Sequence, residues 1–220
     1  MDKEKELERV ASLVADCRRC PLYRTANKSV PGSGSSNAKV FFIGEAPGFY
    51  EDQQGIPFCG RAGKLLDFLL ELAGLSRGEV FIANMLKHRP PGNRDPSEEE
   101  MAACRPFLDR QIEVIAPRVI ITLGRFSLEK FLPGALISQV HGQPRFVDFA
   151  GKEYIVCPMY HPAASLRSGK IKTLEEEDFI KLGQFLAKLF GGKSGELAEE
   201  MKAVGDERKK ADTSGQMKLI

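Results

Sequence analysis

Tryptophan is absent from the sequence and histidine nearly so: His88, His141 and His161 are the only three. Any imidazole acting as proton donor, electrophile or metal ligand must therefore be one of these. No apolar run approaches the roughly 20 residues that a bilayer-spanning helix needs. The amino terminus, Met1-Asp2-Lys3-Glu4-Lys5, is charged and has no apolar core of a secretory signal. Both features point to a cytoplasmic protein with no membrane attachment. Neither sign of charge dominates, since 32 basic and 30 acidic residues leave a net charge of +2. That balance neither demands nor excludes nucleic acid, but a DNA enzyme would have to gather its basic residues on one face. Five cysteines, an odd number, argue against a disulfide framework in such a compartment.

What remains is ordinary globular composition, 42% hydrophobic and 28% charged, in a chain of 220 residues, enough for one α/β domain. Residues 3–16 read as an amphipathic helix with Leu7, Val10, Leu13 and Val14 on its apolar stripe. The apolar runs 39–43, 80–83 and 119–123 read as buried strands, and residues 145–157 as a hairpin whose second arm, 154–157, is a fourth core strand. Helices are expected over 63–73, from about 95–98 to 117, and over 175–190. Strands alternating with helices imply a three-layer α/β/α domain around a central four-stranded, mainly parallel sheet. Such sheets bind ligands beyond the carboxyl ends of their strands. Here those ends carry Glu45, Asn84, Gly124 and His161, so the special residues converge on one rim. The domain is assigned to residues 1–190, and residues 191–220 to a charged tail with little apolar periodicity.

Three constellations carry chemistry. Cys17 and Cys20 have the C-x-x-C spacing of a metal or redox pair. Cys104 and His88 are further ligand candidates, and their plainer readings are a buried helical cysteine and a polar loop histidine. Zinc takes three cysteines and a histidine, whereas iron–sulfur clusters normally take four thiolates. Cys59 and Cys157 sit in apolar contexts and read as packing. The second constellation, Gly44-Glu45-Ala46-Pro47-Gly48 with Gly55 to Gly63, is a tight loop able to turn backbone N–H groups toward a ligand. Phe58 within it is either a stacking platform or a core residue. The third is His161-Pro162-Ala163-Ala164-Ser165-Leu166-Arg167, where a rigidly held histidine, either a functional group or a plain turn histidine, precedes an apolar wedge and a cation suited to DNA.

Taken together, Gly44–Gly48, Glu51-Asp52, Gly55–Gly63, Asn84, Lys87, Arg89–Arg94 and His161–Arg167 resemble the motifs of family 4 uracil-DNA glycosylases, the iron–sulfur branch of that superfamily. The resemblance runs from about residue 10 to 190. It implies excision of uracil from DNA in base-excision repair by a monomer, and a 4Fe-4S cluster on Cys17, Cys20, His88 and Cys104. The third ligand of that family is normally cysteine; here His88 stands in its place, and imidazole ligation is the expectation, against an open iron site or no cluster. The resemblance further implies that uracil stacks on Phe58 and that Asn84 reads its polar edge. It makes neutral His161 the donor to uracil O2. Glu45 positions water or steadies the sugar cation, since Ala46-Pro47 stands where another branch has a water-activating Asp-Pro. Gly44, Ala46 and Glu51 shape the pocket. Ser165, Leu166 and Arg167, with Lys170 and Lys172, meet DNA. A related branch traps its product through a histidine on a loop insertion that this chain lacks, so turnover is implied.

Three other readings stay open on sequence: a non-catalytic iron–sulfur protein, a glycosylase for other deaminated bases, and a zinc nucleotide hydrolase. A replication clamp is a conceivable partner, but no docking segment is visible.

Overall fold

The computed structural model describes residues 2–191; the charged segment read as a tail lies, beyond Gly191, outside the described residues. The chain opens with α1 (Lys3–Ala15), capped by Asp2, whose carboxylate accepts from the Glu4 and Lys5 N–H groups. A two-residue strand β1 (Ser33–Gly34) precedes β2 (Val40–Gly44). Two helices follow, α2 (Phe49–Gln54) and α3 (Arg61–Leu72), then β3 (Phe81–Asn84). Helix α4 (Glu98–Ile115) starts at a reciprocal cap, Ser97 and Glu100 each accepting from the other's backbone N–H. Next come β4 (Val119–Leu123), α5 (Arg125–Phe131), α6 (Ile137–Val140), β5 (Arg145–Phe149) and β6 (Lys152–Met159). The short α7 (Pro162–Ser165) and the long α8 (Gly169–Phe190) complete the fold.

The sheet order is β1-β3-β2-β4-β6-β5. Its centre, β3-β2-β4-β6, is the anticipated four-stranded parallel sheet. The full sheet has six strands because β1 and β5 add antiparallel edges. Alternation along each central strand feeds two apolar layers. Val40, Phe42, Ile82, Val119, Ile121, Cys157 and Met159 face α3 and α8. Phe41, Ile43, Phe81, Ile120 and Val156 face α4 and Phe131 of α5. Cys157 is thus a core residue, as its context implied.

Three expectations are corrected. Leu13 is exposed, because α1 packs through Val10 and Val14 with Leu7 partly buried. Helix α8 begins six residues early, where the Ser168 hydroxyl caps the Ile171 N–H. Helices α2 and α7 fall within segments read as loops, and α5 and α6 occupy stretches to which the sequence assigned no element.

The register pairs Gly44 with Asn84 at the carboxyl ends of neighbouring strands. The chain passes from β2 to β3 on one side and then crosses from β3 to β4 on the other side of β2. The crevice at this reversal is where ligands enter open α/β sheets.

Candidate active site

A cleft of about 530 Å³ opens at this rim, bounded by Glu45 to Gly48, Phe58, Asn84, Asn93 to Asp95, Arg125 and His161. The anticipated residues of the second and third constellations are therefore brought together. Gly44 lies behind the lining, against Asn84 and Phe58. A Cβ there would lie 2.4 Å from Asn84 Oδ1 and 2.7 Å from the Phe58 ring, so the position has no room for a side chain.

Phe58 is a core residue, as one of its sequence readings had it, and it also borders the cleft. It is buried in the layer against α3 and α8, yet it lines the cleft and stacks on the His161 ring at 5.5 Å and 27°. Its backbone is held at φ 52°, a left-handed conformation that costs a non-glycine residue energy. Arg77 over-determines it, donating to the Pro57 and Phe58 carbonyls at 3.0 and 2.8 Å and to Asp67 at 2.7 Å. Gly63 packs so close that a Cβ would lie 1.7 Å from the Phe58 carbonyl oxygen.

Asn84 ends β3 with 1% of its surface exposed, and its Oδ1 has no hydrogen-bond partner. An unmade bond on a buried carbonyl costs about 1–3 kcal/mol, which a donor arriving in the cleft would recover. Beneath it the fully buried Lys87 ammonium donates to the Asn84 carbonyl at 2.9 Å and to Gln111 Oε1 at 2.7 Å, fixing the strand end.

His161 caps the first turn of α7: its Nδ1 accepts from the Ala163 N–H at 3.1 Å. Desolvation lowers its pKa to about 4, only partly opposed by Glu51. The ring is therefore neutral near pH 7, and with Nδ1 an acceptor the proton resides on Nε2. Glu45 is half-buried; desolvation first and Asp95 second raise its pKa, while Arg125 opposes them. Arg125 itself pairs with Asp95.

Glu51 acts through backbone. Its two carboxylate oxygens accept from the Gly48 N–H at 3.1 Å and the Gly60 N–H at 2.9 Å, tying together the two glycine loops that wall the cleft. Ala46 lines the same wall. On the far side Leu166 and Arg167 are exposed, and Arg167 borders the cleft. Ser165 faces the other way: it is buried, and its hydroxyl is spent on Glu175 of α8. Lys170 and Lys172 are exposed on the first turns of α8.

Sequence reasoning missed Arg125, Asp95 and Glu175. Arg125 follows the glycine that ends β4, a positional signal that could have placed it on the rim. Glu175 lies in the acidic run Glu175-Glu176-Glu177-Asp178, which reads as a solvated face. Helical spacing turns Glu175 and Asp178 inward instead.

The cysteine constellation lies apart from the cleft. Cys17 and Cys20 pack against the apolar cluster of Val10, Val14, Leu22, Leu86, Cys104 and Phe107. Burial pushes the Cys104 thiol up to about 11, and both Cys20 and Cys17 contribute to that rise, so the three thiols share one neighbourhood. The Lys87 N–H donates to Cys104 Sγ at 3.2 Å. His88 is buried next to Lys87 in the chain; desolvation first and Arg18 second lower its pKa, and Asp52 opposes them. Among the described residues no three His, Cys, Asp or Glu side chains are disposed to hold a single metal ion.

Residues 31–183 match the sequence profile of the uracil DNA glycosylase superfamily. The chain is 46% identical over 187 residues to the type-4 uracil-DNA glycosylase of Saccharolobus solfataricus, covering 82% of this chain and 87% of that one. It is 44% identical over 182 residues to the protein of that name from Sulfurisphaera tokodaii, with coverage of 80% and 83%. The type-4 uracil-DNA glycosylase of Thermotoga maritima is 40% identical over 190 residues, with coverage of 84% and 97%.

Proposed function

The chain belongs to the uracil DNA glycosylase superfamily, among its type-4 members, and from that premise we propose that it hydrolyses the N-glycosyl bond of uracil in DNA, leaving an abasic site for base-excision repair. The observation that carries this reading is the buried, unpartnered Asn84 Oδ1 facing a cleft whose other walls are an aromatic ring and a neutral imidazole. Uracil presents an N3–H donor to such an oxygen and a carbonyl to the same amide's NH₂; cytosine presents the reverse pattern.

A stacked base cannot reach this depth, so the nucleotide must be extruded or taken from a single strand. Phe58 receives the base by stacking. Glu51 narrows the pocket beside the C5 position, where thymine has its methyl, by holding the Gly48 and Gly60 loops. As the glycosyl bond breaks, negative charge gathers on the uracil and positive charge on the sugar. The His161 Nε2–H donates to uracil O2 and stabilises the anion, without transferring its proton first. Glu45 faces the sugar, where an ionised carboxylate stabilises the cation and orients the water that attacks it. Leu166 fills the gap left in the stack and Arg167, Lys170 and Lys172 hold phosphates.

A 4Fe-4S cluster on Cys17, Cys20, Cys104 and His88 fits the donor set; its role is structural, pinning α1 to α4 and the 87–94 loop. Hydrolysis needs no electron from it. We place the enzyme in the cytoplasm as a monomeric domain of residues 1–190.

The test is a panel of oligonucleotides bearing uracil, hypoxanthine or xanthine, scored for abasic sites by alkaline cleavage. Cleavage at uracil is the expected result. Cleavage confined to a purine lesion would move the chain to another base, and cleavage of none would leave a binding protein. Iron and acid-labile sulfide in the purified protein, lost in Cys104→Ala, test the cluster.

A further inference from the structure

The lip of the cleft carries two large aromatic residues in water. Phe49 and Tyr50 open helix α2 with 52% and 53% of their surface exposed. Neither belongs to an apolar cluster of the fold. Adjacent exposed aromatics are uncommon in a protein that needs them only for packing. Their rings meet edge to face, 5.4 Å apart at 85°, so each stiffens the other.

A cation completes the arrangement. The Arg89 guanidinium lies 5.2 Å from the Phe49 centroid. Its Nε donates to Asn93 Oδ1 at 2.7 Å, and no carboxylate pairs with it among the described residues. It thus keeps its charge for a ligand, unlike Arg94 and Arg125, which pair with Glu100 and Asp95. Tyr50 is seated against Gly60, where a Cβ would lie 3.1 Å from the ring. Gly60 is bound in turn by Glu51.

The patch continues the proposed uracil site. Gly48 precedes Phe49 and lines the cleft; so do Pro90, Asn93 and Arg94, which follow Arg89. The lip is thus within reach of a strand whose nucleotide enters the cleft.

Resting on the uracil-glycosylase reading, we propose that Phe49, Tyr50 and Arg89 form a stacking platform for an unpaired base of the DNA strand that flanks the extruded nucleotide. An aromatic face with a cation at its side is the pairing by which proteins hold single strands irrespective of sequence. A base inside a duplex has both faces occupied by its neighbours, so the platform selects single-stranded or locally opened DNA. The unpaired guanidinium suits a polyanion rather than a second copy of this near-neutral chain.

The test is fluorescence anisotropy at one fixed salt concentration. The probes are a single-stranded uracil oligonucleotide and the same strand with base-less tetrahydrofuran residues flanking the uracil. The parent chain, Phe49→Ala, Tyr50→Ala and Phe49→Trp are compared. The parent is expected to bind the fully based strand about tenfold more tightly than the base-less one. Both alanine variants lose that preference, while Phe49→Trp retains it. Equal losses from base removal in parent and alanine variants would overturn the proposal. So would unchanged DNA affinity together with a parent dimer that Phe49→Ala dissolves, which would assign the face to a second copy. A parent that binds with the expected preference but leaves uracil in place would contradict the glycosylase reading and not the platform.

Discussion

At the scale of single residues, the cleft depends on what is missing as much as on what is there. Gly44→Ala places a methyl 2.4 Å from Asn84 Oδ1 and 2.7 Å from Phe58. It is expected to lower kcat/KM for uracil excision on the order of 10²-fold while the chain stays folded, checked by kinetics beside a thermal melt. Two buried groups give opposite pH signatures. His161 has its pKa lowered to about 4 by desolvation. As pH falls from 6.5, the ordinary histidine value, toward 4, the unfolded chain binds a proton that the folded chain refuses, and stability drops. Glu175 has its pKa raised to about 7, by desolvation first. As pH rises from 4.5 through 7 the folded chain keeps a proton that the unfolded chain has lost, so stability again drops, now toward alkaline pH. Glu175→Gln is therefore expected to stabilise the protein by roughly 2–3 kcal/mol at about pH 8 and to match the parent at about pH 4, measured by chemical denaturation. The motif residues Gly44, Glu45, Phe58, Asn84 and His161 were legible because each follows a strand or sits between glycines. The inward turn of Ser165 was not, because a serine before Leu-Arg looks like a phosphate contact until its hydroxyl meets Glu175.

At the scale of elements, strand ends and loop clamps do the positioning. The four central strands were legible from their apolar runs, and the convergence of Asn84 and His161 followed from parallel topology. Strand β1 was not legible, because a two-residue edge strand has no periodicity, whereas β5 is the first arm of the expected hairpin. The start of α8 was misread because Gly169-Lys170 lacks an apolar stripe, although Ser168 supplies a cap. Arg77 is the clamp that sequence could not reveal, since its partners are carbonyls 19 and 20 residues away. Arg77→Ala releases Phe58 from its left-handed backbone. The expected outcome is a rise of about tenfold in KM for uracil-containing DNA, consistent with lost hydrogen bonds from a charged donor. An unchanged KM would show that Gly63 packing alone fixes the platform.

At the scale of the whole molecule, the cleft and the cysteine neighbourhood meet through the 87–94 loop, with Lys87 bonded to Asn84 and Cys104. If a cluster pins that loop, Cys104→Ala removes the visible absorption and costs on the order of 4 kcal/mol of stability. Cys157→Ala, in the core away from those thiols, leaves iron content unchanged. His88→Cys keeps the cluster and His88→Ala lowers bound iron, as metal analysis would show. The C-x-x-C pair was visible in sequence and Cys104 was a candidate beside it; the contact between α1 and α4 brings the three together. The central claim remains that Asn84 and a neutral His161 extract uracil from DNA. It is tested most directly by single-turnover excision from a uracil-containing single strand, with Asn84→Ala and His161→Ala beside the parent. The parent should generate abasic sites, and each variant, folded by its thermal melt, should lose on the order of 10²–10³-fold in rate. A parent that leaves uracil in place, or a His161→Ala variant that cleaves at the parental rate, would contradict the account.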